Sequence, residues 1–205
     1  MTDHPAPHPA RPRLVLASSS PWRRQLLERL TSSFECHSPD IDETPHRDEP
    51  PEVLVARLAR QKAEKTAIPH AGSIIVGSDQ IALHDGSILG KPGHMDAAFD
   101  QLSRFSGQHV RFLTALTVID PAGMARHHTE PFDVYFRHLT AEEINAYLAR
   151  EHPLDCAGSF RMEGLGITLF ERLDGRDPNA LIGLPLIALC RLLRESGMDP
   201  LLAMP

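Results

Sequence analysis

The sequence predicts an α/β fold built on a mixed, strongly twisted sheet flanked by helices, and three observations carry that prediction. Short apolar runs stop at turn residues and give way to helix-period segments, as where Leu14-Val15-Leu16-Ala17 meets Ser18-Ser19-Ser20-Pro21. Two long stretches of strand character, 109–120 and 125–138, are separated only by the turn Pro121-Ala122-Gly123, which predicts an antiparallel hairpin. Helical patterns alternate irregularly with strands and no internal repeat is present, so neither a solenoid nor an all-helical bundle fits. With 205 residues, 41% of them hydrophobic, the chain can fill one substantial core, or two lobes around a central cleft, but not several independent domains.

The elements follow in chain order. Residues 1–12 are rich in Pro and His, lack an apolar segment, and read as a disordered tail; His4 and His8 need no metal to explain them there. The domain is expected to span 13–205. A buried strand at 14–17 runs into a polar turn, then a helix with Ser20 as N-cap and Pro21 at its first position, its inner face made by Leu26, Leu27 and Leu30. A short strand near 34–37 precedes an acidic loop at 38–50. A helix at 51–65 carries Leu54, Val55, Leu58 and Ala59 on adjacent rows, with Lys62 near its end. The apolar strand 73–78 meets Asp79-Gln80; a lone Asp disfavours strand, so Asp79 is expected to end that strand for a reason other than folding. Ile81-Ala82-Leu83 continues to a turn at Asp85-Gly86, and Gly90-Lys91-Pro92 reads as a loop. A helix at 95–105 closes at Gly107. After the hairpin, Thr140-Ala141-Glu142-Glu143 is a capping box for a helix through 150. The glycine-spaced stretch 157–166 leads into a strand at 167–173, and a last helix occupies 184–195.

Composition excludes several function classes. Twenty-one basic against 27 acidic residues, a formal charge of -6, is the wrong sign for a protein that coats nucleic acid, so no nucleic-acid partner is expected. No stretch approaches the roughly 20 apolar residues of a membrane span. Cys36, Cys156 and Cys190 form no CxxC pair and read as free thiols, which points to a reducing cytoplasm. The phosphate loop GxxxxGK[ST], a strand-following GxGxxG, HExxH and GxSxG are all absent. His127, His128 and His152 read as surface histidines, and the serine run is a poor nucleophile because no histidine has a fixed relation to it.

What remains favours an anion. Ser18, Ser19 and Ser20, the free N–H groups of a helix start, and Arg23 and Arg24 are brought together by the local sequence, although cations are unfavourable at that end of a helix. Asp42, Glu43, Lys62, Asp79 and Lys91 lie on other strand ends, loops and helix ends.

These segments also carry a resemblance. Leu14-Val-Leu-Ala-Ser-Ser-Ser-Pro-Trp-Arg-Arg, Asp42-Glu43-Thr44-Pro45, Gln61-Lys62-Ala63, Gly77-Ser78-Asp79-Gln80 and Gly90-Lys91-Pro92, in that order, resemble the Maf family of nucleotide pyrophosphatases from Arg13 to Leu201. Trp22, Gln80 and Glu163, with the runs 130–139 and 156–160, resemble the branch acting on 7-methyl-GTP. Relatives acting on dTTP and UTP typically carry Arg, Thr and Gln at those three positions.

The resemblance implies an ITPase-like arrangement of two lobes around the cleft. It implies cleavage between the α- and β-phosphates of a nucleotide, with a divalent cation, Mg²⁺ or Mn²⁺, and Asp79 as proton acceptor. Glu43 is then the metal ligand, and Ser18, Ser20, Arg23, Arg24, Lys62 and Lys91 hold the phosphates. Trp22, Gln80 and Glu163 set the base preference, Trp22 by stacking on a cationic ring. A homodimer is also implied. A Maf-type enzyme of other nucleotide preference and a non-catalytic nucleotide sensor are the alternatives.

Overall fold

The computed structural model describes residues 12–202; residues 1–11, on which the expectation of a disordered tail falls, lie outside the described residues. In chain order the elements are β1 (Leu14–Leu16), α1 (Pro21–Glu28), β2 (Glu35–Cys36), α2 (Pro51–Ala67), β3 (Ile74–His84), β4 (Ser87–Leu89) and α3 (Met95–Phe105). They continue with β5 (His109–Ile119), β6 (Ala125–Phe136), α4 (Ala141–Glu151), a 3-10 segment (Leu165–Leu169), β7 (Phe170–Gly175), α5 (Asn179–Ile182) and α6 (Leu186–Glu195). One seven-stranded mixed sheet has the order β2-β1-β3-β5-β6-β7, with β4 paired to β3. The first three strands of that order run parallel and the rest antiparallel.

Local chemistry explains the helix starts. The Ser20 hydroxyl accepts from the Arg23 N–H with Pro21 in the first turn, and Thr140 and Glu143 complete the reciprocal capping box of α4. The expected breaks elsewhere are corrected. β3 runs straight through Asp79, because on its β5 side every residue from Ile75 to Leu83 has a partner and Asp79 pairs with Ala115. What ends there is the other edge: pairing to β1 stops at Val76 and β4 takes over only at Ala82. The carboxylate therefore sits in a gap in the sheet edge. The strand expected at 167–173 begins three residues later, since Gly166 N–H turns back to the Arg161 carbonyl and Thr168 Oγ1 to Leu165, winding a 3-10 turn first. The helix expected at 184–195 starts at Leu186, after the left-handed Gly183, and is preceded by the separate short α5.

Side-chain alternation along β3 and β5 sorts the core. On one face, Leu14, Leu16, Val76, Leu116 and Val118 pack on α1 and α6, while Ala82, Val110 and Phe112 pack on α3, α4 and Phe160. Between these two clusters lies a polar band, Ser78, Gln80 and Thr114, against which the 180–183 turn is held. Ser78 Oγ donates to the Gly183 carbonyl at 2.9 Å, and Gln80 Nε2 and Thr114 Oγ1 donate to that of Ala180 at 2.7 and 2.8 Å. The two-lobed character is thus written into one sheet face.

The opposite face carries α2. Val55 and Ala59 pack on Ile81, Leu113 and Ala115, and Ala63 on Val15, Ala17 and Ile75. The approach is closest at Gly77, where an added Cβ would fall 2.4 Å from the Ala59 carbonyl oxygen and 2.8 Å from Ala63 Cβ. Glycine there lets α2 lie near enough for Lys62 to reach the carboxylate two residues on. Gly77→Ala is expected to cost about 1–3 kcal/mol of stability through overpacking, read by denaturant unfolding, and to lower activity by moving Lys62.

Candidate active site

A cleft of about 750 Å³ opens at the gap in the β3 edge and is lined from both lobes. Ser18, Ser20, Trp22 and Arg23 enter from the turn and first helical turn after β1; Glu43 from the acidic loop; Lys62 from α2; Asp79 and Gln80 from β3; Lys91 from the loop after β4; and Glu163 from the segment before the 3-10 turn. Arg24 is not brought to the cleft. Its side chain is 63% exposed and pairs with Glu28 at 2.9 Å, because successive helical residues point about 100° apart and Arg23 takes the inward direction.

Lys62 is the centre of charge. Its ammonium lies 2.5 Å from Asp79 Oδ1 and 2.7 Å from Glu43 Oε1. Lys62 and Asp79 are nearly buried, with side chains 11% and 10% exposed, whereas Glu43 is open to solvent. Arg23 donates through Nε to the Gly183 carbonyl at 2.9 Å and through Nη1 to Ser18 Oγ at 3.4 Å. Burial pulls the Arg23 guanidinium below its ordinary value while the charges of Asp79 and Glu43 hold it up. Gly183 has φ +113, and a Cβ there would meet Arg23 Nε at 3.2 Å, so the close seat of this arginine needs glycine twice over. Ser18 Oγ also accepts from the Ser20 N–H at 3.1 Å. With Ser18 and Ser20 both accepting from the backbone or Arg23, their hydroxyl protons remain to be donated toward the cleft.

The acidic loop is anchored to α2. The Arg57 guanidinium grips Glu49 at 2.7 and 2.8 Å and donates to the Thr44 carbonyl at 3.1 Å, while Asp42 Oδ1 accepts from the Thr44 N–H. Those bonds to Arg57 push the Glu49 carboxyl down to about 2. Glu43 is thereby presented to Lys62 by a braced turn rather than a free loop.

One part of the cleft carries fewer sequence signals. Phe112, Phe160, Leu181 and Ile182 give it apolar walls, and Asp155, Cys156 and Arg161 line it too. None of these stood out as a site residue in the sequence, although 156–160 belongs to the run resembling the 7-methyl-GTP branch. Gln80, expected near the base, lines the cleft but commits its amide nitrogen to Thr114 and the carbonyls of Ala180 and Leu181.

The donor set bears on a metal. Glu43 and Asp79 each give one oxygen to the Lys62 ammonium, which leaves the second oxygen of the solvent-open Glu43 for a cation, and among the described residues no group of three or more His, Cys, Asp or Glu forms a cage. That suits a small hard cation held by one or two carboxylates and completed by substrate phosphates and water, and it does not suit a structural zinc site. No helix among the described residues is long and apolar enough to cross a membrane.

The chain is similar to several known proteins. A 7-methyl-GTP pyrophosphatase of Chromohalobacter salexigens is 61% identical over 191 residues, covering 92% of this chain and 98% of that one. Two solved structures align more distantly. A nucleoside-triphosphatase / dITP/XTP pyrophosphatase from Mycobacterium abscessus has a TM-score of 0.40 and 18% identity, over 68% of this chain and 95% of its own. The Ham1 protein of Staphylococcus aureus has a TM-score of 0.46 and 11% identity, over 91% and 100%. Residues 13–196 match the family described as Maf-like protein, and with the relative at 61% identity this makes the chain a member of the Maf family.

Proposed function

We propose that this chain, through one catalytic domain running from residue 13, hydrolyses N7-methyl-GTP to N7-methyl-GMP and pyrophosphate in a reducing cytoplasm, as a homodimer. The observation that carries the reading is the cleft itself: a nearly buried carboxylate held by a lysine, a serine and arginine cradle, and the chain's single tryptophan all line it. The 61% identical relative named for this reaction supports it.

The triphosphate lies along Ser18, Ser20, Arg23, Lys62 and Lys91, whose donors and charges meet the phosphate oxygens where negative charge grows. Asp79 positions a water against the α-phosphorus and takes its proton as the new P–O bond forms. The bond from the α-phosphorus to the bridging oxygen breaks, and pyrophosphate leaves with that electron pair, its charge met by the cations of the cradle. Lys62, bonded to Asp79 Oδ1, fixes that carboxylate in direction. Glu43, its carboxylate open to solvent, would hold a divalent cation, Mg²⁺ or Mn²⁺, which when bound supplies charge neutralisation at the phosphates. At the other end, the Trp22 indole face attracts the cationic N7-methylated ring, worth about 1–2 kcal/mol, and Glu163 accepts from the N1–H and N2–H₂ edge of guanine.

The test is a panel of 7-methyl-GTP, GTP, dTTP and UTP, with monophosphate and pyrophosphate quantified in the presence and absence of chelator. Chelator-sensitive release from 7-methyl-GTP above the others is expected. Preference for a pyrimidine nucleotide would move the chain to another branch, and no pyrophosphate from any of them would make it a sensor. Trp22→Arg with Glu163→Gln should lower the preference for the methylated base about tenfold.

A further inference from the structure

We infer that the Asp155–Arg161 ion pair is a specificity element at the base end of the cleft, tuned to favour a cationic purine over a neutral one. The inference rests on the reading of Trp22 as the base platform and adds two residues to it. The Arg161 guanidinium stands 5.7 Å from the Trp22 ring centroid, although 139 positions separate the two residues in sequence. It is held there on several sides. Nη2 donates to Asp155 Oδ1 at 2.8 Å, Nε to Cys156 Sγ at 3.5 Å and Nη1 to the Glu151 carbonyl at 3.5 Å, and the Arg161 backbone N–H donates to the buried Tyr147 hydroxyl at 3.1 Å. Asp155 and Arg161 both line the cleft.

The electrostatics sets a problem that Asp155 resolves. A guanidinium resting on Trp22 competes with, and repels, a second cation brought to the same indole. Neutral guanine has no such quarrel with it: N7 and O6 form an acceptor pair that an arginine grips in bidentate fashion. Methylation at N7 removes one of those acceptors and adds a positive charge. An arginine free to turn toward the base therefore selects the unmethylated purine, opposite to the preference proposed for this enzyme. Asp155 occupies a terminal nitrogen of Arg161 and cancels its charge, so that the pair is neutral as a unit and the guanidinium is held in one direction with three of its five N–H donors engaged. The bond from Arg161 also holds the Asp155 carboxyl below the usual carboxylate range, which keeps it ionised at neutral pH.

The experiment is the ratio of kcat/KM for 7-methyl-GTP to that for GTP in the full chain and in Asp155→Asn, Arg161→Met and the double variant. Because both substrates meet the same protein, a general loss of folded enzyme cancels. Asp155→Asn is expected to lower the ratio about fivefold, the scale of one exposed ion pair, and Arg161→Met to raise it. The double variant should return to within about twofold of the parent, since the unpaired charge is gone. Trp22 gives a second reading, because as the only tryptophan it reports binding of N7-methyl-GMP by fluorescence whether or not a variant turns over. The Kd for that ligand should move with the ratio. A ratio unchanged or raised in Asp155→Asn, or lowered in Arg161→Met, overturns the inference while leaving the base-platform reading in place. A parent protein that does not distinguish 7-methyl-GTP from GTP overturns that reading, and this inference with it.

Discussion

Asp79→Asn is expected to reduce turnover of 7-methyl-GTP by a factor of about 10² to 10⁴ while leaving the unfolding midpoint within experimental scatter of the parent. The asymmetry comes from Lys62. Its ammonium touches both Asp79 and Glu43, so when Asp79 loses its charge the lysine keeps a carboxylate 2.7 Å away. The amide oxygen of Asn still accepts from Lys62 Nζ, and the strand continues through the position because its backbone partners are those of Ala115. What the amide lacks is a basic oxygen able to take a proton from water. Steady-state kinetics with thermal unfolding on the same sample checks both halves. Activity within tenfold of the parent removes Asp79 from the role of proton acceptor, and a large fall in stability shows that the carboxylate was structural.

How much of this could be read from the chain depends on the range of the interaction. The start of α1, the capping box of α4 and the exact span of α3 are local, set by side chains reaching their own backbone within a turn, and they stand where the sequence puts them. β4 and the unbroken course of β3 are not local. Three residues, Ser87 to Leu89, show no usable alternation, and Asp79 is tolerated in a strand only because β5, over thirty residues later, pairs with it. The same distinction runs through the cleft. Lys62 and Asp79 were visible as residue types of the right chemistry, but their contact depends on Gly77 letting α2 descend onto β3. Arg24 shows a signal left unused: helical periodicity alone separates it from Arg23 by about 100°. Asp155 and Arg161 gave no signal of their own, since their meaning depends on a tryptophan that the topology carries to them from the first helix.

Lys62→Met is expected to lose both activity and stability, and the contrast with Asp79→Asn is what identifies the lysine as the keystone of the charges. Met preserves most of the aliphatic stem of this buried side chain but supplies no charge. Glu43, 59% exposed, can turn its carboxylate to water at little cost. Asp79 cannot: only 10% of its side chain is exposed, so an ionised group is left nearly buried with its partner removed, a situation that costs about 3–5 kcal/mol. Activity falls as well, by about 10² or more, because a cation at the phosphates and the group orienting the proton acceptor disappear together. Adding Asp79→Asn to Lys62→Met separates these effects. The double variant no longer buries an unpaired charge, so most of the lost stability should return, while turnover stays at the floor. Denaturant unfolding of the two single variants and the double one closes the cycle. If the double variant is no more stable than Lys62→Met, the penalty lies in the packing of the lysine stem and not in the charge it compensates.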